Sequence, residues 1–166
     1  LYELHPADAD ALAMFAGDDS RIRVERRDGF KACIALLPPP ERRGLIVMDP
    51  SYELKTDYRD VVQTLAQAWR RFPTGVYALW YPVIERRRVN TLERALQASG
   101  IQHVQLFELG VRGDGEGSGM SGSGMIVVNA PYTLAAEMAD TLPWLARTLG
   151  QESGGYYRLF ELDRPV

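Results

Sequence analysis

The sequence has little of what disulfides, metal sites and membrane spans require. It contains one cysteine and two histidines in 166 residues, which excludes an internal disulfide and argues against a zinc site. No apolar run approaches the ~20 residues that cross a bilayer, and no secretory signal is recognisable. We therefore expect no metal and no membrane partner, and a reducing, cytoplasmic environment.

Lysine is also scarce, and 17 of the 19 basic residues are arginine. The formal net charge of −3 argues weakly against a nucleic-acid partner. The arginines are clustered, however, and such clusters either contact phosphates or form solvated helix ends and loops. The four runs are Arg26-Arg27, Arg42-Arg43, Arg70-Arg71 and Arg86-Arg87-Arg88. The sequence leaves both interpretations open for each run.

Short apolar runs alternate with helical patterns along the chain. This rhythm predicts an α/β fold with a mostly parallel sheet and helices on both faces, and the length fits one domain spanning 1–166. Strands are predicted at 1–4, 22–25, 45–48, 75–81, 103–111, 125–129 and 156–162. Helices are predicted at 7–15, 30–37, 58–72, 86–99 and 134–149. We expect 45–48 to be the central buried strand and Pro143 to interrupt the last helix.

Three local features refine this outline. Six residues of the third helix share one face at 3.6-residue spacing, namely Tyr58, Val61, Val62, Leu65, Trp69 and Phe72, and Thr56 is its expected N-cap. Cys33 lies in an apolar helical stretch and is expected to be a small core residue. The segment 110–124 has seven glycines and three serines. It lacks the Lys-Ser/Thr ending of a phosphate-binding loop, so a flexible hairpin connection is expected.

A tetrapeptide, Asp49-Pro50-Ser51-Tyr52, follows the run 45–48, where open α/β sheets build their sites. It approaches the Asp/Asn-Pro-Pro-aromatic signature of enzymes that methylate exocyclic amines. Such an amine is a poor nucleophile because its lone pair is delocalised into the ring. The Asp49 carboxylate and the Pro50 carbonyl are suitable acceptors for its two hydrogens, and the Tyr52 ring is suited to stack on the base. The same tetrapeptide is also a common turn former.

Two acidic residues upstream stand at strand ends as well. Glu3 ends the first predicted strand, where dinucleotide-type folds hold an acid for ribose hydroxyls. Asp28 ends the second, where a carboxylate suits an adenine edge, and Gly29 allows close approach. These positions strengthen the interpretation of Asp49 as part of a site.

Further stretches extend this pattern along the chain in a fixed order. They are Glu3-Leu4-His5-Pro6, Asp28-Gly29-Phe30, Arg43-Gly44-Leu45-Ile46 continuing into Asp49-Pro50-Ser51-Tyr52-Glu53, Lys55-Thr56-Asp57-Tyr58, Tyr77-Ala78-Leu79-Trp80-Tyr81-Pro82, Gly124-Met125-Ile126-Val127 and Leu142-Pro143-Trp144-Leu145. In this combination the chain resembles the carboxyl-terminal portion of the bacterial RlmJ-type adenine-N6 methyltransferases of 23S ribosomal RNA.

The resemblance implies a Rossmann-like class I methyltransferase sheet, S-adenosyl-L-methionine as cofactor and ribosomal RNA as partner, with a monomer favoured. It assigns Asp49 as the catalytic acceptor and Glu3 as the ligand of the cofactor ribose. Asp28 and Gly29 are assigned to the cofactor adenine. Substrate binding is assigned to Pro50, Tyr52 and Leu4.

Two departures from the family pattern bear on these expectations. Ser51 replaces the second proline, which loosens the turn by ~0.4–1 kcal/mol and removes none of the working groups. The family's first strand and its glycine-containing cofactor loop are expected upstream of Leu1, with that strand between the strands of Glu3 and Asp49. We therefore expect a domain that is incomplete at its amino end and inactive alone.

Other functions remain open at this stage. The motif also suits methylation of a DNA adenine or of a protein glutamine amide. A non-catalytic RNA-binding or interaction fragment is a further alternative, supported by the absent cofactor loop. The stretch Trp80-Tyr81-Pro82 ends a strand on the same sheet edge as Asp49, so it either lines a pocket for a flipped base or packs in the core.

Overall fold

A computed structural model of the chain describes residues 1–52, 56–113, 119–151 and 154–162. The strands are β1 (Tyr2–Glu3), β2 (Glu25–Arg26), β3 (Leu45–Met48), β4 (Val76–Val83), β5 (Val104–Gly110), β6 (Gly122–Val128) and β7 (Tyr156–Glu161). The helices are α1 (Pro6–Ala16), α2 (Gly29–Leu36), α3 (Asp57–Arg71), α4 (Arg86–Ser99) and α5 (Leu134–Leu149). Within these residues, no helix is both long and apolar enough to cross a membrane.

The strands form a five-stranded sheet in the order β3-β4-β6-β5-β7 and a separate pair of β1 with β2. The α/β class is confirmed. The expected mostly parallel pairing is wrong for the carboxyl-terminal half. Only β1 with β2 and β3 with β4 pair in parallel, whereas β6 runs antiparallel to β4 and β5, and β7 antiparallel to β5. The hairpin from β5 to β6 inserts an antiparallel strand between two strands that run the same way.

Strand β3 lies at the edge of the five-stranded sheet, so the expectation of a central buried strand was wrong for the described pairings. Leu45 is 64% exposed and Val47 is 62% exposed, because no described element covers their face. Ile46 and Met48 point to the other face and pack in the main core.

Helices cover both faces of the sheet, as expected. The larger core joins α2, α3 and α4 to one face and includes Tyr77, Leu79 and Tyr81 of β4. The smaller core joins α5 to the other face through Leu142, which packs with residues of β5 and β6. The predicted face of α3 is confirmed, because its apolar residues lie in the larger core.

Several helix and strand ends agree with the sequence, and others differ. Helix α4 has the predicted bounds, and Gly100 ends it in the left-handed conformation. Thr56 is at the N-cap of α3 but makes no capping hydrogen bond, since its backbone is already helical. Helix α5 continues through Pro143. Strand β2 begins at Glu25, so residues 22–24 precede it. The glycine-rich segment joins antiparallel strands as expected, although its residues 114–118 lie outside the described part.

Candidate active site

The tetrapeptide begins directly after β3. Asp49 is exposed and Pro50 is half-buried at the carboxyl end of the strand. Among the described residues, the Asp49 carboxylate makes no hydrogen bond or ion pair with another group. The acid is therefore held on an ordered strand end while its oxygens remain available to a ligand.

Tyr52, the last residue of the tetrapeptide, turns back into the protein. Its side chain is 5% exposed, and its hydroxyl donates a hydrogen bond of 2.6 Å to the carbonyl oxygen of Trp80. The ring centroid lies 4.6 Å from that of Tyr58 and 6.1 Å from that of Trp80, at tilts of 51° and 59°. The three rings connect the tetrapeptide to α3 and to β4.

The backbone and the hydroxyl of Tyr52 are both perturbed. Its φ angle of 55° lies in the left-handed region, which bulky residues seldom adopt and which often accompanies functional sites. Burial, with smaller contributions from Tyr58, Asp49 and Asp57, raises the pKa of the Tyr52 hydroxyl far above its ordinary value. The hydroxyl therefore stays protonated and acts only as a hydrogen-bond donor to Trp80.

Glu3 and Asp28 lie together at the carboxyl ends of β1 and β2. These strands pair in parallel, with Glu3 opposite Arg26, so both carboxylates reach the same edge. Glu3 is half-buried, and one of its oxygens accepts a hydrogen bond of 2.7 Å from the backbone N–H of His5. The second oxygen remains available to a hydroxyl group.

Asp28 has a structural role that the sequence interpretation missed. One carboxylate oxygen accepts backbone hydrogen bonds from Phe30 (3.0 Å) and Lys31 (3.3 Å), which caps α2. The other oxygen lies 3.4 Å from the Lys31 ammonium. An aspartate before an apolar helical run is a standard N-cap signal, so this role could have been predicted.

Gly29 and Leu4 flank the two acids. A Cβ atom added at Gly29 would meet its nearest neighbour, Tyr2, at 3.6 Å, an ordinary contact. The packing of the protein itself therefore does not require glycine at this position. Leu4 is 67% exposed beside Glu3. The predicted site residues thus form two groups, one on β1 and β2 and one after β3, with α2 packed between β1 and α3.

A second polar cluster lies on the far side of β4. Glu108 in β5 is fully buried. Its oxygens accept hydrogen bonds from the Tyr81 hydroxyl (2.8 Å) and from Arg86 (2.7 and 3.0 Å). Arg158 adds a contact of 3.3 Å to Glu108 and pairs with Glu93 at 2.8 Å. The signal in the sequence was the glutamate in the apolar stretch Leu106-Phe107-Glu108-Leu109.

Comparison with known proteins connects the chain to one family. A family model described as "Ribosomal RNA large subunit methyltransferase D, RlmJ" matches residues 1–161. Ribosomal RNA large subunit methyltransferase J of Escherichia coli is 47% identical over 156 residues, which cover 94% of this chain and 56% of the relative. Its namesake from Haemophilus influenzae is 44% identical over 155 residues, covering 93% of this chain and 55% of the relative.

A solved structure has the same fold. The crystal structure of protein LPL1258 from Legionella pneumophila superposes with a TM-score of 0.86 at 32% identity, covering 97% of this chain and 59% of that one. The chain therefore spans about half the length of the proteins that it matches.

Proposed function

Since the chain belongs to the RlmJ family of ribosomal RNA large subunit methyltransferases, we propose that it carries the catalytic carboxylate of an S-adenosylmethionine-dependent enzyme. The substrate is the N6 amine of an adenine in 23S ribosomal RNA, and the enzyme acts in the cytoplasm. Residues 1–166 belong to its catalytic domain. The observation that carries the proposal is the exposed carboxylate of Asp49 at the end of β3, with no described partner of its own.

Asp49 and Pro50 are the proposed acceptors for the two hydrogens of the amine. Their hydrogen bonds draw the nitrogen lone pair out of the ring and direct it at the methyl group. Such preorganised acceptors act by position and electrostatics, so Asp49 need not remove a proton before the methyl group is transferred. The proton is released from the methylated amine afterwards. The methyl group itself is supplied by the sulfonium of the cofactor.

Tyr52 is the proposed stacking partner of the flipped base. To stack, its ring must leave Tyr58 and Trp80, and the hydrogen bond to the Trp80 carbonyl opposes this by about 0.5–1.5 kcal/mol. A base–aromatic stack contributes about 1–3 kcal/mol, which offsets the hydrogen bond, while other contacts of the bound RNA must offset the burial that the ring gives up. Leu4, exposed on the neighbouring strand end, is the proposed apolar contact of the substrate.

Glu3, Asp28 and Gly29 are the proposed contacts of the cofactor nucleoside. The donor and acceptor set fits, because two carboxylates at one sheet edge suit ribose hydroxyls and an adenine amine. One oxygen of Asp28 caps α2, so the other oxygen, which lies beside Lys31, is the proposed acceptor for the adenine amine. At Gly29 the absence of a side chain is not needed for packing, which is consistent with a ligand approaching the backbone there.

The proposal is tested by supplying the full-length enzyme, since the chain alone is expected to be inactive, with radiolabelled S-adenosylmethionine and three acceptors. These are a 23S ribosomal RNA transcript, duplex DNA and a glutamine-rich protein. We expect label only in the RNA, as N6-methyladenine on digestion. Label in the DNA or in the protein would show that the enzyme instead methylates a DNA adenine or a glutamine amide. Tight binding of the transcript without any label would favour the non-catalytic alternative.

A further inference from the structure

Ion pairs divide the arginine runs of the sequence into two kinds. In the run 86–88, Arg86 binds Glu108 at 2.7 Å, and Arg87 and Arg88 both bind Glu85. In the run 26–27, Arg27 lies 3.7 Å from Glu25. Acidic partners within the protein therefore already hold most of these guanidinium groups, and such groups are poorly suited to bind an external anion.

The other two runs form no ion pair with any described residue. Arg42, Arg43, Arg70 and Arg71 are all exposed. Within the described part of the chain, their one side-chain hydrogen bond runs from Arg71 Nε to the carbonyl oxygen of Leu37, at 3.0 Å. We call these four arginines the basic edge.

The two runs meet in space although 26 residues lie between them in the sequence. The contact of Arg71 with Leu37 joins the end of α3 to the loop before β3. A Cβ atom built on Gly44, next to Arg43, would lie 3.8 Å from the ring of Phe72. The loop before β3 and the carboxyl end of α3 therefore present their arginines near the amino-terminal ends of β3 and β4.

The local charge of the basic edge opposes that of the whole chain. The segments 37–44 and 68–76 contain four arginines and one acidic residue, Glu41, so they carry about +3 in a chain of net charge −3. Guanidinium groups bind phosphate oxygens in a bidentate manner. Arginines that gather on one surface and form no ion pair with the protein's own acidic residues are expected where a nucleic-acid backbone binds.

We propose that the basic edge binds phosphates of the RNA substrate at nucleotides remote from the methylated adenine. This inference rests on the proposed function for the identity of the RNA. Arg43 and Asp49 stand at opposite ends of β3, and six extended residues at ~3.3 Å each separate them by about 20 Å. Phosphates next to the target base cannot span that distance, so the contact requires RNA that extends around the protein.

The experiment compares two double variants with the same loss of charge. Arg43→Gln with Arg70→Gln removes half of the basic edge and spares Arg71, which has a structural hydrogen bond. Arg94→Gln with Arg147→Gln is the control, since both residues are exposed and neither forms an ion pair among the described residues. Binding is measured as a function of salt with a short stem-loop that holds the target adenine and with a long 23S fragment.

We expect the basic-edge variant to weaken binding of the long fragment several-fold and to lower its salt slope by about 1 per arginine removed. Binding of the stem-loop should be unchanged, and the control variant should match the wild type on both RNAs. Equal effects of the two variants, or an equal loss on both RNAs, would overturn the proposal.

The same experiment separates this inference from the proposed function. If the full-length enzyme methylates neither RNA, the proposed function fails, but the salt slopes still decide whether the basic edge binds phosphates. If both RNAs are methylated and the basic-edge variant has the wild-type slope on the long fragment, the inference fails alone.

Discussion

The hydroxyl of Tyr52 donates a hydrogen bond of 2.6 Å to the carbonyl oxygen of Trp80. This bond links the last residue of the Asp-Pro-Ser-Tyr turn to the neighbouring strand β4 and keeps the ring 5% exposed. The position of the turn after β3 thus depends on a contact that the tetrapeptide alone does not reveal. The hydroxyl thus holds the turn against β4, whereas the ring is the proposed stacking surface for the base. Substitutions can separate these two roles.

Tyr52→Phe should lower the free energy of unfolding by about 0.5–1.5 kcal/mol, because it removes one hydrogen bond and retains the ring. Tyr52→Ala should lower it by about 3–5 kcal/mol, because it empties a site packed against Tyr58 and Trp80. Urea unfolding measures both values. In RNA methylation kinetics, the Phe variant should remain close to wild type while the Ala variant loses base capture. A Phe variant as impaired as the Ala variant would assign the function to the hydroxyl.

Glu108→Gln should destabilise the protein by roughly 3 kcal/mol, because it removes the buried counter-charge of Arg86 and leaves Arg158 with Glu93 alone. We expect the low end of the range for broken buried pairs, since the arginine side chains are 22% and 29% exposed and water screens them. The matched control is Glu161→Gln on the adjacent strand, an exposed position where a change within about 0.5 kcal/mol is expected. Equal unfolding midpoints for the two variants would show that the cluster contributes little.

Cys33 should react slowly with iodoacetamide in the native protein at pH 8 and rapidly in urea. Burial raises the pKa of its thiol to about 11 from an ordinary 9.0, so the reactive thiolate is scarce in the folded chain. Because the thiol of the unfolded chain has the lower pKa and ionises first, the free energy of unfolding falls as the pH rises from about 9 towards about 11. Labelling is followed by mass spectrometry, with Cys33→Ala as the blank. Equal rates with and without urea would contradict the half-buried position of Cys33 against the core.

Local chemistry explains which elements the sequence predicts well. The face of α3 and the glycine stop of α4 follow from apolar spacing and from a left-handed C-cap at Gly100, both of which are short-range signals. The alternation of apolar runs also predicts that Glu3, Asp28 and Asp49 stand at the ends of strands. These features required no knowledge of how distant segments meet.

The missed features depend on long-range pairing. The edge position of β3 and the antiparallel insertion of β6 follow from strand order, which hydrophobic periodicity does not encode. Helix α5 runs through Pro143 because packing of its apolar face overrides local propensity. The burial of Tyr52 needed Trp80, 28 residues away. The pairing of Arg86 with Glu108, 22 residues away, is of the same kind.

The most direct test of the assignment is methyl transfer to 23S ribosomal RNA by the full-length enzyme, as wild type and as Asp49→Ala, with cofactor affinity measured in parallel by calorimetry. Asp140→Ala on α5, an exposed acid far from the turn, is the matched control. Loss of one preorganised acceptor should reduce the rate by about 10²–10³, while cofactor affinity and the control remain unchanged. A reduction of only about twofold in the Asp49 variant would contradict its role as the catalytic acceptor.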